Sequence, residues 1–209
     1  MNEYPVFCAY HIDVGVGKYT ILADKLANRC DKLGIVNDIS TPKNIHEFIG
    51  NRRKSVSLRN WICRFKPTFI LNMLDKWDQP ILYMDVDGYI NKKPPIEVFD
   101  IKNIGINKQY GGLGGVAVLD ASVAAIYFNN NNLVRKFLKH WHQDCKKLNL
   151  NKADHLSFKR SVVALRKEHP DIVEYFPEPL ISLRDIDDVY IQHYRPSDHG
   201  KCNSNYSTE

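Results

Sequence analysis

Apolar residues along the chain fall into compact runs that alternate with helically spaced stripes. Val6 to Tyr10 is an apolar run that predicts a first buried strand. From Tyr19 to Leu33 the apolar residues Ile21, Leu22, Leu26 and Leu33 recur at helical spacing, and Gly34 is a helix stop. "GIVNDI" predicts the next strand, so the chain opens as β-α-β, the grammar of a parallel sheet with crossover helices. Arg64 to Trp77, "RFKPTFILNMLDKW", predicts an amphipathic helix with Pro67 near its first turn, and it feeds a short buried strand at Ile81–Met84 behind Gln79-Pro80. The pattern then changes: "NKKPP" reads as a loop, "IKNIGI" as a short strand, and "QYGGLGGVAV" as a glycine-rich link into apolar runs at Val116–Leu119 and Ala124–Phe128. A mixed sheet is expected there. Leu133–Leu148, with Trp141 on its apolar face, and His155–Lys167 predict two more amphipathic helices, before a last strand "DVYIQHY" and a polar tail. No repeat or linker divides the chain, which predicts a single α/β domain.

Composition narrows the partners. The 209 residues, 44% apolar and 11% aromatic, suffice for one domain with a sizeable core. Lys and Arg number 29 against 24 Asp and Glu, an excess of five that favours an anionic ligand such as a phosphate but falls far short of a charge that coats nucleic acid. DNA and RNA are therefore not expected as partners. Cys8, Cys30, Cys63, Cys145 and Cys202 are odd in number, spread out and without a Cys-x-x-Cys pair, which argues against a disulfide framework and a zinc ribbon and for a reducing, cytoplasmic setting. No basic segment leads into a long apolar stretch, and no window approaches the ~20 apolar residues that span a bilayer. A soluble, monomeric protein is the expectation.

Two stretches carry candidate chemistry. "HIDVGVGKYT", residues 11–20, has a P-loop's outline but not its spacing: Ile12 stands where the first glycine belongs, and Tyr19 replaces the magnesium-binding hydroxyl. Gly15 and Gly17 read as turn formers before a helix. "ILYMDVDGYI" drives Asp85 and Asp87 into the end of a buried strand, where two unpaired carboxylates would repel each other, so a positive group is expected between them. An Asx-type turn supported by Gly88 is one account. The other is a ligand site, because open α/β sheets gather ligands at the carboxyl ends of their strands. Hard carboxylates suit Mg2+ or Mn2+, which keep open positions for phosphate oxygens, and His193, at the end of the last strand, would shift the preference toward Mn2+.

At these residues the chain meets a family. "KPTFILNMLDKWDQPILYMDVDGYI" resembles the part of GT-A glycosyltransferases in which a Lys-Pro helix precedes a buried strand ending in Asp-x-Asp, and "HYRPSDHGK" resembles the closing His-to-Lys element of the retaining, UDP-sugar-using members. The likeness covers nearly the whole chain in order, and extends to the short domains of this kind encoded by large algal (chlorella) DNA viruses. It implies a GT-A, Rossmann-like fold with a mixed, mostly parallel sheet flanked by helices, a nucleotide-binding part at about 1–90 and an acceptor-side part at about 91–200. It implies that Asp85, Asp87 and His193 hold Mn2+ or Mg2+, with Asp85 also near the ribose. Tyr10 and His11 match where the base sits, Asp38, Arg64 and Lys66 match the nucleotide's surroundings, and Lys201 matches the lysine on the leaving phosphate. Asp154, in "KADHL", matches the carboxylate near the donor sugar and is the candidate to face an oxocarbenium-like sugar. His155 departs from the usual Gln there, and Ala124-Ala125 departs from the usual Ser-Gly. The implied activity is metal-dependent transfer of a sugar from a UDP-sugar to a glycan hydroxyl, retaining in the family likeness although the residues themselves are compatible with either stereochemical course. Two other classes stand beside it. A nucleotidyltransferase would carry a glycine-rich signature with Arg and Lys after its first strand, where this chain has one Lys and no Arg; a non-catalytic glycan-binding module would not need the acid pair.

Overall fold

A computed structural model describes residues 3–13, 17–52, 56–108, 121–147, 153–176, 180–182 and 189–193, apart from the side chains of 108, 121–123, 153, 181, 182 and 193. Gly15, the glycine-rich link with the run Val116–Leu119, and Lys201 lie outside the described residues.

Strand β1 (Val6–Tyr10), helix α1 (Lys18–Lys32) and strand β2 (Asn37–Ser40) make the first crossover. Two short helices, α2 (Ile45–Gly50) and α3 (Leu58–Cys63), lead to α4 (Lys66–Trp77) and then to strands β3 (Ile81–Met84) and β4 (Gly88–Ile90). A single 3-10 turn at Ile96–Phe99 precedes β5 (Ile104–Lys108) and β6 (Ala121–Phe128), followed by helices α5 (Asn132–Lys147) and α6 (Ala153–Arg166) and the short strands β7 (Val173–Tyr175), β8 (Ile181–Ser182) and β9 (Ile191–His193).

Six strands form the main sheet in the order β2-β1-β3-β6-β5-β7, with β6 alone running against its neighbours. The expected mixed but mostly parallel sheet is present. Its central strands are unbroken apolar runs because both faces are covered. Val6, Cys8 and Tyr10 of β1 and Ile81 and Tyr83 of β3 enter one core with α4, α5 and α6, while Phe7, Ala9, Leu82 and Met84 enter the other with α1 and the 3-10 turn. Helix α1 ends as expected: Gly34 takes φ +60, and the Ile35 amide returns to the Cys30 carbonyl at 2.9 Å.

A second sheet orders β4-β9-β8. Here β9 runs antiparallel to β4, with Gly88 opposite His193 and Ile90 opposite Ile191. The last strand is thus shorter than "DVYIQHY", and it closes on the residue that follows Asp87. The helix expected from Arg64 starts at Lys66, because Pro67 occupies its first turn. Helices α2 and α3, each 6 residues long, had no counterpart in the pattern, since fewer than two turns leave almost no periodicity to read.

Candidate functional site

The carboxyl ends of β1 and β3 lie side by side, since the two strands pair in parallel with Val6 opposite Ile81. A cavity of about 210 Å³ opens there. The end of β1 contributes Tyr10, His11 and Ile12; the end of β3 contributes Tyr83, Asp85, Val86 and Asp87. Helix α3 and the start of α4 close it with Arg59, Ile62, Cys63 and Lys66, and Tyr19 of α1 completes the wall. Four of the residues singled out from the sequence as nucleotide contacts, Tyr10, His11, Lys66 and Asp85, therefore line one space together with Asp87.

The sequence asks for a positive group between Asp85 and Asp87. Among the described side chains, Lys66 places a cation on Asp85, and Lys66 also reaches a different partner. Its Nζ lies 3.1 Å from Asp85 Oδ1 and 3.4 Å from Asp154 Oδ2. The lysine is buried, with only 4% of its side chain exposed. It begins α4, where the partial positive charge of a helix N-terminus disfavours an ammonium. Burial likewise pushes an ammonium toward neutrality, but Asp85 and Asp154 outweigh it and hold Lys66 above the ordinary lysine range. Asp154 sits in the first turn of α6, where a carboxylate is favoured. The Tyr83 hydroxyl donates to Asp85 Oδ1 at 2.6 Å, and burial first, then Asp85, raise that phenol well above its usual range, so it remains a donor. Asp85 is thus anchored from two sides.

Asp87 is buried, and with Asp85 its charge raises the Tyr19 phenol, whose shift comes chiefly from burial. Tyr10 donates its hydroxyl to the Ile62 carbonyl at 2.8 Å and packs its ring on Phe65, Phe69 and Tyr83. His11 holds Nε2 within 3.3 Å of Thr41 Oγ1. Burial lowers its pKa, with Asp13 and Asp24 opposing, so the ring is neutral near pH 7. Cys63 is raised by burial to about 12, a thiol rather than a nucleophile.

Other candidates stand elsewhere. Asp38, on β2, accepts from Lys76 Nζ at 2.6 Å and Trp77 Nε1 at 2.9 Å at the far end of α4, and is not among the cavity's lining residues. Arg64 donates Nη1 to the Cys145 carbonyl at 3.2 Å and faces a different cavity from Lys66. Asp154 stands behind Lys66 rather than on the lining. His193 reaches the site by its backbone, through the Gly88 pairing, while its side chain lies outside the described atoms. Among the described residues no three His, Cys, Asp or Glu side chains converge as a metal cage. The fit of a divalent cation rests instead on two oxygen donors lining one cavity and on the register that brings residue 193 opposite residue 88. Arg59 also lines the cavity and was not among the sequence candidates: it lies on a helix too short to show a face, and nothing local distinguishes it from a solvated arginine.

No protein-family model and no curated protein matches the sequence. Solved structures do. The chain superposes on a glycosyltransferase involved in the glycosylation of the major capsid of PBCV-1 with a TM-score of 0.67 at 10% identity, covering 98% of each chain. It also superposes on the glycosyltransferase GlyE of Streptococcus pneumoniae TIGR4, with a TM-score of 0.55 at 10% identity, and on the apo form of GlyE, with 0.53 at 14%. In both cases 99% of this chain is covered and only 61% of the GlyE chain, so this chain spans under two thirds of GlyE's length. At such identities the shared property is the fold, a mixed α/β domain whose six-stranded, mostly parallel sheet lies between helices.

Proposed function

We propose that the chain is a metal-dependent glycosyltransferase of GT-A type that moves a sugar from a nucleotide diphosphate sugar, with UDP as the nucleotide, to a hydroxyl of a glycan. The observation that carries this is the common cavity of Tyr10 and His11 at the end of β1 with Asp85 and Asp87 at the end of β3. Paired strand ends of this kind are where α/β sheets bind nucleotides. The fold shared with known glycosyltransferases supports the same reading.

In this reading Tyr10 and the neutral His11 frame the base, and Asp85 and Asp87, joined by His193, would hold Mn2+ or Mg2+. A divalent cation bound there would neutralise the charge that grows on the departing diphosphate. The chain's own cations add to it. Lys66 and Arg59 line the cavity, and Lys201 is proposed for the leaving phosphate on the strength of the family resemblance. Because Lys66 is held by two carboxylates before any ligand arrives, its charge needs no reorganisation during transfer. Asp154, which the resemblance puts opposite the oxocarbenium-like sugar, stands behind Lys66 and off the lining, and in this reading it holds that lysine in place. Retention at the anomeric carbon is carried over from the same resemblance.

Thermal melts with UDP, with and without Mn2+, test the reading on the intact chain. UDP with Mn2+ is expected to raise the melting temperature, because a ligand that binds only the folded state stabilises it. Chelator should remove the shift. Asp87→Asn should abolish it while leaving the unliganded melt equal or higher, since one of two neighbouring carboxylates is neutralised. A full UDP shift in chelator, or one that Asp87→Asn leaves intact, would overturn the metal role. Release of UDP from one sugar nucleotide in a panel would then identify the donor.

A further inference from the structure

On the other side of the Arg64–Lys66 segment lies a larger cavity of about 440 Å³, framed by α2, α3, α4 and α5. Its size falls in the roughly 300–1,000 Å³ range of small-molecule sites. Of its lining, Arg64 alone was expected from the sequence to lie near the nucleotide. The inner wall is aromatic: Phe48 and Trp61 stack with ring centroids 5.3 Å apart and 26° between their planes. Trp61 donates Nε1 to the Phe48 carbonyl at 2.8 Å, which satisfies the polar atom of the indole and fixes the ring. The rim is polar and exposed, with Asn44, Glu47 and Asn51 contributed by α2 and the residues on either side of it. Deeper in, His142 of α5 sits 2.9 Å from the Thr68 hydroxyl.

The Phe48–Trp61 pair, with Arg64 held 5.1 Å over the Trp61 ring, gives the cavity an apolar inner edge beside a rim of amides, a carboxylate and the Lys146 ammonium, a mixture that suits one kind of molecule. A pyranose has a face of C–H bonds that packs on an aromatic ring, and an edge of hydroxyls that each donate and accept; Asn supplies both roles and Glu accepts. Glu47 is offset by Arg64 and Lys146 in the same lining, so it is the supply of donors and acceptors, and not net charge, that favours a sugar here. The cavity also adjoins the donor space through a single wall, since Ile62, Cys63 and Lys66 line the one while Trp61, Arg64 and Phe65 line the other.

We propose that this second cavity binds a sugar residue of the glycan acceptor, a site that rests on the glycosyl-transfer reading above and lies apart from the donor. Saturation-transfer NMR on the full chain, with a panel of methyl pyranosides at millimolar concentrations and no nucleotide, tests it. At least one glycoside should receive saturation, strongest on the C–H protons of one ring face. The double variant Glu47→Ala/Asn51→Ala, at two exposed positions, should weaken that binding by about tenfold or more, as loss of two hydrogen-bonding side chains predicts. Its UDP-dependent melt should match the wild type's. Absence of saturation across the panel, or saturation that the double variant leaves undiminished, would overturn the proposal. So would loss of the UDP shift in that variant, which would give the cavity to the nucleotide. Failure of the glycosyl-transfer reading looks different: UDP would produce no shift in the wild type, while glycoside binding and its loss in the double variant would persist.

Discussion

Lys66 is the residue on which the site's electrostatics turn. A buried ammonium at a helix N-terminus is opposed by desolvation and by the helix dipole, and it persists because Asp85 and Asp154 face it. Replacing it with an apolar side chain of similar reach leaves two carboxylates without their shared cation, one of them buried. Lys66→Met is therefore expected to lower the unfolding free energy by about 3–5 kcal/mol in denaturant titrations at neutral pH. Adding Asp154→Asn should recover part of that loss, and strictly additive changes would refute the pairing. The wild-type lysine, held above its ordinary range, contributes this stability in full below about pH 10 and loses it only in more alkaline solution. Each of the three residues was legible alone, Asp85 from its place at a strand end and Lys66 and Asp154 from a family resemblance. Their union was not. Lys66 and Asp154 lie on different helices, α4 and α6, and no local pattern of polarity encodes a partner so far along the chain.

Among the elements, the apolar runs were the most legible. Val6–Tyr10 and Ile81–Met84 are strands with the bounds their composition suggests, because strands buried on both faces leave no polar interruption to blur them. Short elements escaped for the opposite reason: β4, β7 and β8 span at most 3 residues each, and tertiary pairing rather than propensity makes them strands. One element-level tie is open to a pH test. Asp38 joins β2 to the end of α4 through Lys76 and Trp77. Burial raises its pKa, but the hydrogen bonds from Lys76 and Trp77, with the Lys76 charge, outweigh burial and hold the carboxyl below its usual value. A carboxylate depressed in the fold contributes stability above its unfolded pKa of about 3.9 and loses it as the pH falls through the folded value. Asp38→Asn is thus expected to cost about 1 kcal/mol near pH 7, with the gap to wild type narrowing below about pH 4, in urea titrations at several pH values. A gap that stays constant would mean that the charge contributes nothing. UDP binding should be unaffected, because Asp38 does not line the cavity that holds Asp85 and Asp87.

For the molecule as a whole, the small sheet ties the end of the described chain to its middle. Gly88 and His193 are register partners, so the Asp85–Asp87 turn leans on a strand about a hundred residues later. Hydrogen exchange with UDP and Mn2+ should therefore protect the amides of Gly88–Ile90 and Ile191–His193 together. Protection confined to the first segment would detach β9 from the site. The alternation of strands and helices was enough to anticipate the mixed sheet, and "DVYIQHY" the last strand, but the pairing of that strand with residues about a hundred positions earlier leaves no sequence signal. The same register has a consequence for biosynthesis. A ribosome adding roughly 5–20 residues per second needs on the order of 5–20 s to travel from residue 88 to residue 193. Through that interval the nascent chain holds its acidic turn without the strand that braces it, and so the turn takes its final form only after residue 193 has left the ribosome.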